Sequence, residues 1–87
     1  MVNLMTLQES HEKINFALKN PLRCWIIGLL KSHRALSSSD LASLLHVSLS
    51  RCYYHLDNLN GLIEQDKENR YFLSEEGTRA FQLLSRT

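Results

Sequence analysis

Two helix starts, eleven residues apart, constrain this chain more than any other feature of its sequence. Ser37 has the side chain of an N-cap. Asp40, three residues later, can return a hydrogen bond to the cap and lies at the positive end of the helix dipole. Leu36 and Leu41 flank the cap at the spacing of a hydrophobic staple. These residues predict a short helix that begins directly after Ser37.

The second start repeats the same device at Ser48, with Val47 and Cys52 as the staple pair. His46 precedes it at a position that usually requires a left-handed residue, and histidine tolerates positive φ better than most residues. Residues 37–60 therefore predict a helix-turn-helix. That unit most often places its second helix in the major groove of DNA.

An amphipathic helix is predicted over residues 1–19. Its apolar stripe repeats at alternating spacings of three and four residues and consists of Leu4, Leu7, His11, Ile14 and Leu18. The stripe either packs on its own domain or pairs with the same helix of a second subunit. We favour the pairing, because so small a core gains much from a partner.

A core helix is predicted over residues 21–33, with Asn20 as its cap and Pro21 at the first helical position. Its apolar residues recur at i, i+3, i+4, i+7 and i+8. They are Leu22, Trp25, Ile26, Leu29 and Leu30. This pattern predicts that Trp25 is buried, and Gly28 is interpreted as the mark of a close helix contact.

A β-hairpin, or wing, is predicted over residues 62–73, where two short runs of strand-forming residues enclose a polar turn. Ser74 then caps a last helix over residues 74–86, whose first turn carries Glu75 and Glu76. The fold class that follows is mainly α with a small β-hairpin. The 87 residues are expected to form one winged helix-turn-helix domain.

Composition limits the function classes. The net charge is +1, although nucleic-acid binders usually carry a basic surplus, so any electrostatic footprint must come from the arrangement of charges. No apolar run approaches the roughly 18 residues of a membrane span, and no secretory signal is recognisable. Cys24 and Cys52 are interpreted as small buried hydrophobes in a reducing compartment, which predicts a cytoplasmic protein without membrane contact.

The stretch from Ala17 to Gly77 resembles the ArsR-like winged-helix transcriptional regulators, particularly the short archaeal versions. The segments that carry the resemblance are ALKNPLRCWIIGLL, SSSDLASLL, RCYYHLDNLNGLIE and RYFLSEEG. The resemblance implies a dimeric repressor or activator that binds palindromic operator DNA. Metal-sensing members carry paired cysteines in the first helix of the helix-turn-helix. Here that helix reads SSDLASLL, so metal sensing is not implied.

The recognition helix is predicted over about residues 49–60, and residues near its start are the ones that reach base edges. Arg51 can form two parallel hydrogen bonds to guanine, or it is a solvated surface charge. Tyr54 contacts DNA or lies in the seam between helices, and Tyr53 contacts phosphate or packs under the wing. His55 is interpreted as a satisfied, half-buried histidine. The predicted DNA contacts are Ser48, Leu49, Ser50, Arg51, Tyr53, Tyr54, Asn58, Lys67 and Arg70.

A dimer interface is predicted from both terminal helices. It consists of Leu4, Leu7, His11, Ile14, Leu18, Phe81 and Leu84. No catalytic pattern is present: the four histidines are dispersed, metal-ligand spacing is absent and there is no glycine-rich phosphate loop. The sequence therefore predicts no enzyme, no metal site and no cofactor.

The function predicted from these patterns is a sequence-specific regulator of transcription that binds double-stranded DNA as a homodimer, with an unknown effector. The alternative is a winged helix that contacts other proteins in a transcription or replication assembly. The near-neutral charge favours the alternative. The polar face of the recognition helix argues against it, because protein-binding helices more often expose apolar side chains.

Overall fold

The protein is described by a computed structural model over residues 18–85. The helices and strands follow in the order α1 (Pro21–His33), β1 (Leu36–Ser37), α2 (Ser38–Leu45), α3 (Leu49–Asp57), β2 (Ile63–Gln65), β3 (Arg70–Leu73) and α4 (Glu75–Ser85). This architecture confirms the predicted mainly α winged helix-turn-helix. The predicted N-terminal helix, with Leu4, Leu7, His11 and Ile14, lies outside the described residues.

The two predicted helix starts and the turn between them are confirmed. Ser37 Oγ accepts a hydrogen bond from the Asp40 N–H at 3.0 Å, and Asp40 Oδ2 accepts one from the Ser37 N–H at 3.3 Å. Ser48 Oγ accepts from the Arg51 N–H at 3.1 Å. His46 ends α2 in the left-handed conformation, with φ 57° and ψ 44°. Local hydrogen bonds therefore set the angle at which α3 leaves α2.

The core lies between α1, α2, α3 and the loop before β2. Its largest fully buried side chains are Ile26, Ile27, Leu30, Leu41, Cys52, Leu59 and Leu62, and Ala80 of α4 is also fully buried. None of the helices within residues 18–85 is long and apolar enough to cross a membrane.

The prediction that Trp25 is buried is wrong, because its side chain is 60% exposed. The buried face of α1 consists of Arg23, Ile26, Ile27 and Leu30. These residues recur at the predicted helical spacing, but the series begins one residue later than the predicted one. The almost unbroken apolar run from Trp25 to Leu30 is compatible with burial of either face of α1. The prediction rejected the face that is buried because that face also contains the charged Arg23. Gly28 makes no close contact with another described residue, since no described atom lies within 4 Å of an added Cβ, and the close contact predicted there stays a prediction.

The predicted hairpin is present, but it belongs to a three-stranded antiparallel sheet in the order β1-β3-β2. Ile63 pairs with Leu73 in the hairpin, and Leu36 pairs with Tyr71 on the other side of β3. Two residues of β1 are too few to show the alternation that marks a strand in a sequence. The added strand ties the wing to the start of α2.

The recognition helix α3 ends at Asp57, three residues earlier than predicted. Asn58 occupies the C-cap, where its Nδ2 donates to the Tyr54 carbonyl at 2.8 Å. Leu59 continues into a turn and is still fully buried, which explains why its apolar spacing resembled a longer helix. Gly61 follows with φ 92°, a conformation that favours glycine.

The start of α4 is held against the loop before β2. Ser74 Oγ donates to the Gly61 carbonyl at 2.7 Å and accepts from the Gly77 N–H at 3.1 Å. Gly77 lies so close to this loop that an added Cβ would overlap the Leu62 carbonyl and come within 3.2 Å of Leu73 Cδ2. Glycine at this position therefore permits the packing of α4.

We expect Gly77→Ala to lower the free energy of unfolding, although alanine is normally the better helix former by up to about 1 kcal/mol. The collision is with backbone rather than a flexible side chain, and overpacking of this kind typically costs about 1–3 kcal/mol. Urea denaturation followed by circular dichroism measures the change. Gln82→Ala, at an exposed position of the same helix, is the matched control. Equal stabilities for both variants would contradict the predicted contact.

Candidate nucleic-acid interface

One face of α3 is open to solvent from its first residue. Leu49 is 45% exposed, Tyr53 44% and Tyr54 60%. Ser48, Ser50 and Arg51 are also exposed, whereas Asn58 is half-buried. The opposite face packs on the core through Cys52, His55 and Leu56. Predicted DNA-contact residues on α3 therefore form a continuous exposed surface along its first half.

Arg51 is the cation on this surface. Within residues 18–85, the ion pairs to carboxylates are made by Arg70 and Arg79, and Arg51 takes part in none of them. The backbone N–H of Arg51 donates to Ser48 Oγ in the N-cap of α3. This hydrogen bond holds the backbone from which the Arg51 side chain extends. A guanidinium in this position has its donors available for an anion or a base edge.

A buried arginine behind α3 was missed from the sequence. Arg23 of α1 is only 8% exposed, and its Nε donates to His55 Nδ1 at 3.3 Å. Its guanidinium carbon lies 5.8 Å from the centre of the Tyr54 ring, and that ring meets His55 edge-on at a centroid distance of 5.3 Å. These contacts connect α1 to the middle of the recognition helix. The sequence contained one indication of this burial: Arg23 lies three residues before Ile26, at the spacing that places both side chains on the same face of α1.

His55 is neutral in this arrangement, as its accepting Nδ1 requires the proton to be on Nε2. Its side chain is 3% exposed. Burial lowers the pKa of His55 below its ordinary value, and the positive charges of Arg23 and Arg51 lower it further. The interpretation as a satisfied histidine agrees with this geometry, although the residue is fully rather than half buried.

Tyr53 forms a side-chain hydrogen bond with α2. Ser38 Oγ donates to the Tyr53 hydroxyl at 3.1 Å, so the hydroxyl can still donate its own hydrogen. The ring is 44% exposed. This contact links the first residue of α2 to α3 and presents a hydrogen-bond donor near the exposed surface.

The wing tip holds equal numbers of positive and negative side chains. Arg70 Nε lies 3.1 Å from Asp66 Oδ2, and its Nη2 lies 2.8 Å from Glu68 Oε2. Hydrogen bonds from the backbone N–H groups of Arg70 and Glu68, together with the Arg70 charge, lower the pKa of Asp66. Of the two wing cations predicted to contact DNA, Lys67 is exposed and Arg70 is held by two carboxylates.

An open cavity of about 490 Å³ lies between the end of α3 and the wing. Its lining residues are Leu56, Asp57, Asn60, Ile63, Glu64, Gln65 and Tyr71. The carboxylates of Asp57 and Glu64 repel phosphate. The surface suited to nucleic acid is therefore the first half of α3 rather than its end.

The predicted dimer residues that the structure describes are Leu18, Phe81 and Leu84, and all three pack partly buried against the core. Lys31 Nζ lies 5.9 Å from the centre of the Phe81 ring. Since each side chain keeps only part of its surface in solvent, their contribution to a dimer remains a prediction.

The two cysteines are free thiols, with Cys52 buried and Cys24 half-buried. Burial raises the pKa of both thiols, which suits small hydrophobic side chains. Within the described part of the chain, no three His, Cys, Asp or Glu side chains come together as possible metal ligands.

Residues 18–66 match the model of a family described as a helix-turn-helix domain. The chain belongs to this family. No curated protein matches it. Family and fold together support a DNA-binding transcription regulator. The family description is general, so the resemblance to ArsR-like regulators and to their archaeal type remains a prediction.

Two solved structures are similar to the chain. The X-ray structure of YusO protein from Bacillus subtilis has a TM-score of 0.71 and 19% identity, and the match covers 94% of this chain and 67% of that one. Thermotoga maritima IclR has a TM-score of 0.49 and 22% identity over 97% of this chain and 30% of that one. The chain thus spans about two thirds of the first protein and under a third of the second. The likeness to YusO shows a shared fold.

We expect the free energy of unfolding to fall as the pH drops below about 6.5, the ordinary pKa of histidine. The folded protein holds His55 at a lower pKa, so below that pH the unfolded chain binds more protons and is favoured. The loss grows until the pH reaches the lowered pKa. Urea denaturation at a series of pH values measures it. His55→Gln keeps an acceptor for Arg23 and should flatten the profile.

His33→Gln, which changes an exposed histidine of α1, is the control and should keep the native profile. An unchanged slope in His55→Gln would show that other groups cause the acid sensitivity.

Proposed function

We propose that this chain is a sequence-specific transcription regulator that binds double-stranded DNA as a homodimer, with α3 in the major groove. The observation that carries the proposal is the exposed first half of α3, where Arg51 has no ion-pair partner within residues 18–85. Arg23 and His55 support this helix from behind, so its exposed residues have a defined orientation.

Each exposed residue of α3 has a part in the proposed complex. Leu49, Ser50 and Arg51 at the helix start reach base edges, and Arg51 bonds to the O6 and N7 atoms of a guanine. Tyr53 and Tyr54 donate hydroxyl hydrogen bonds to phosphates at the wall of the groove. The helix start at Ser48 is a favourable place for a further phosphate.

A homodimer accounts for specific binding by a chain with a net charge of only +1. Two copies double a small local patch and place two recognition helices in successive major grooves, about 34–36 Å apart. We assign the interface to the N-terminal stripe and to Phe81 and Leu84 of α4. Such a regulator would act by occupying a promoter, in keeping with the resemblance to ArsR-like proteins.

We expect Arg51→Ala to weaken binding to a selected duplex by about 1–3 kcal/mol and to relax the sequence preference at one position in each half-site. Duplexes selected from a random pool by the native chain supply the target, and fluorescence anisotropy at two salt concentrations measures affinity. Sedimentation of the complex should give two chains per duplex. Arg79→Ala, at an exposed arginine of α4, is the control and should bind like the native chain.

Salt-sensitive binding that both variants weaken equally would assign the effect to net charge and remove Arg51 from the groove. Absence of binding at low salt would contradict the DNA-binding proposal as a whole.

The wing generates a separate prediction. Glu68→Gln removes one carboxylate from Arg70, so we expect tighter DNA binding and a steeper dependence on salt, by up to about one further phosphate contact. Glu75→Gln changes the charge equally at a carboxylate that pairs with Arg79 on α4. Equal gains from both variants would show that the wing does not approach DNA.

The second candidate function is a protein-binding winged helix in a transcription or replication assembly. The observation that favours it is the exposure of Trp25 and Leu44, which are 60% and 48% exposed. Binding that hardly responds to salt would favour this function, because an apolar interface does not release counterions.

A further inference from the structure

Arg23 is a cation on the buried face of α1, where its neighbours are apolar. It is only 8% exposed. The ion pairs to carboxylates within residues 18–85 are made by Arg70 and Arg79, so Arg23 has no carboxylate partner there. A buried charge is costly, and a well-packed apolar side chain in its place often leaves a protein equally stable. Stability alone therefore does not account for a guanidinium at this position.

The hydrogen bond to His55 does not require a charge either. Arg23 Nε donates to His55 Nδ1 at 3.3 Å. The Nε2 atom of a glutamine is separated from the backbone by the same number of bonds as arginine Nε, and it also donates an N–H. A neutral glutamine would therefore make this contact without burying a cation. What arginine adds is the charged end of its side chain, beyond Nε.

The charged end of Arg23 lies over an exposed ring of the recognition helix. Its guanidinium carbon is 5.8 Å from the centre of the Tyr54 ring, within the range of a cation–π contact. His55 meets the same ring edge-on at a centroid distance of 5.3 Å. Tyr54 is nevertheless 60% exposed, and Arg51 lies one helical turn before it on α3. Two contacts thus hold a ring that belongs to the candidate interface.

We propose that Arg23 is a positioning residue for DNA binding, which acts through the Tyr54 ring and does not itself touch DNA. The inference rests on the proposed function, in which the Tyr54 hydroxyl donates a hydrogen bond to a backbone phosphate. A tyrosine that is free to change rotamer loses this freedom when it binds, and the loss weakens the complex. Arg23 holds the ring in one rotamer before DNA arrives, so most of this loss is avoided.

Two variants of Arg23 separate its charge from its hydrogen bond. Arg23→Gln keeps the donor to His55 and removes the cation from the Tyr54 ring, so we expect DNA affinity to fall by about twofold to tenfold. Arg23→Lys returns a cation to the ring and should restore affinity. Fluorescence anisotropy on a duplex selected by the native chain measures both variants. Arg79→Gln removes the same charge from α4 and should bind like the native chain.

The Tyr54→Phe background shows whether the effect of Arg23 passes through Tyr54. Phenylalanine keeps the ring and removes the hydroxyl that donates to phosphate. We therefore expect Arg23→Gln to weaken binding in the native background and to add little to the loss caused by Tyr54→Phe. Equal losses in both backgrounds would overturn the proposal, because Arg23 would then act without Tyr54.

The salt dependence of binding distinguishes positioning from contact. Removal of a side chain that touches a phosphate reduces the slope of log affinity against log salt by about one. We expect Arg23→Gln to keep the slope of the native chain, since the proposed role involves no phosphate contact by Arg23. A slope reduced by about one would overturn the proposal by showing that Arg23 contacts DNA directly.

The orientation of the Tyr54 ring is also measurable without DNA. Three-bond coupling constants from NMR should show one χ1 rotamer for Tyr54 in the native chain and an average over rotamers in Arg23→Gln. Averaging in the native chain would overturn the proposal, and this result does not depend on whether any variant folds.

The proposed function and this inference fail in different ways. Absence of DNA binding by the native chain contradicts the proposed function and, with it, the role of Arg23. Native binding that is unchanged by Arg23→Gln, with the variant folded by circular dichroism, contradicts the role of Arg23 and leaves the proposed function intact.

Discussion

The hydrogen bond from Arg23 to His55 is the contact on which the arrangement of the recognition helix depends. A buried guanidinium is costly unless its donors find partners, and a buried imidazole needs a partner for its acceptor nitrogen. Among residues 18–85, no buried side-chain nitrogen or oxygen lacks a hydrogen bond. A rotation of α3 would separate Arg23 from His55 and leave both unsatisfied. This polar contact therefore specifies an orientation that apolar packing alone would leave loose.

The same contact also shapes the exposed surface. Tyr54 lies against both Arg23 and His55 and still exposes 60% of its surface, so one ring belongs to the core network and to the candidate interface. The recognition helix and the wing differ in how many of their cations are paired. Arg51 is available on the first half of α3, whereas Arg70 is occupied by two wing carboxylates. A chain of net charge +1 can thus present a local positive surface without a basic composition.

Local signals predicted much of this fold because their causes are local. The caps at Ser37 and Ser48 bond to N–H groups within three residues, and the left-handed His46 depends on its own backbone. The face of α1 could not be chosen in the same way. A helical stripe that contains Trp25 and one that contains Ile27 both fit the sequence. The hydrogen bond from Arg23 to His55, thirty-two residues away, selects the face with Ile27 for burial. A buried arginine is an exception to the general preference of charged side chains for the protein surface, so composition provides no reason to expect it.

Short-range hydrogen bonds and apolar periodicity encode where helices α2 and α3 begin, how the turn joins them and which strand pair forms the wing, so these features could be predicted from the residues alone. Four other features became visible only in the folded chain: which side of α1 is buried, that β1 joins the sheet, where α3 ends and that the charge of Arg70 in the wing is neutralised. Each of these depends on partners distant in sequence or on packing that competes with a local pattern, and no local signal contains the position of such a partner.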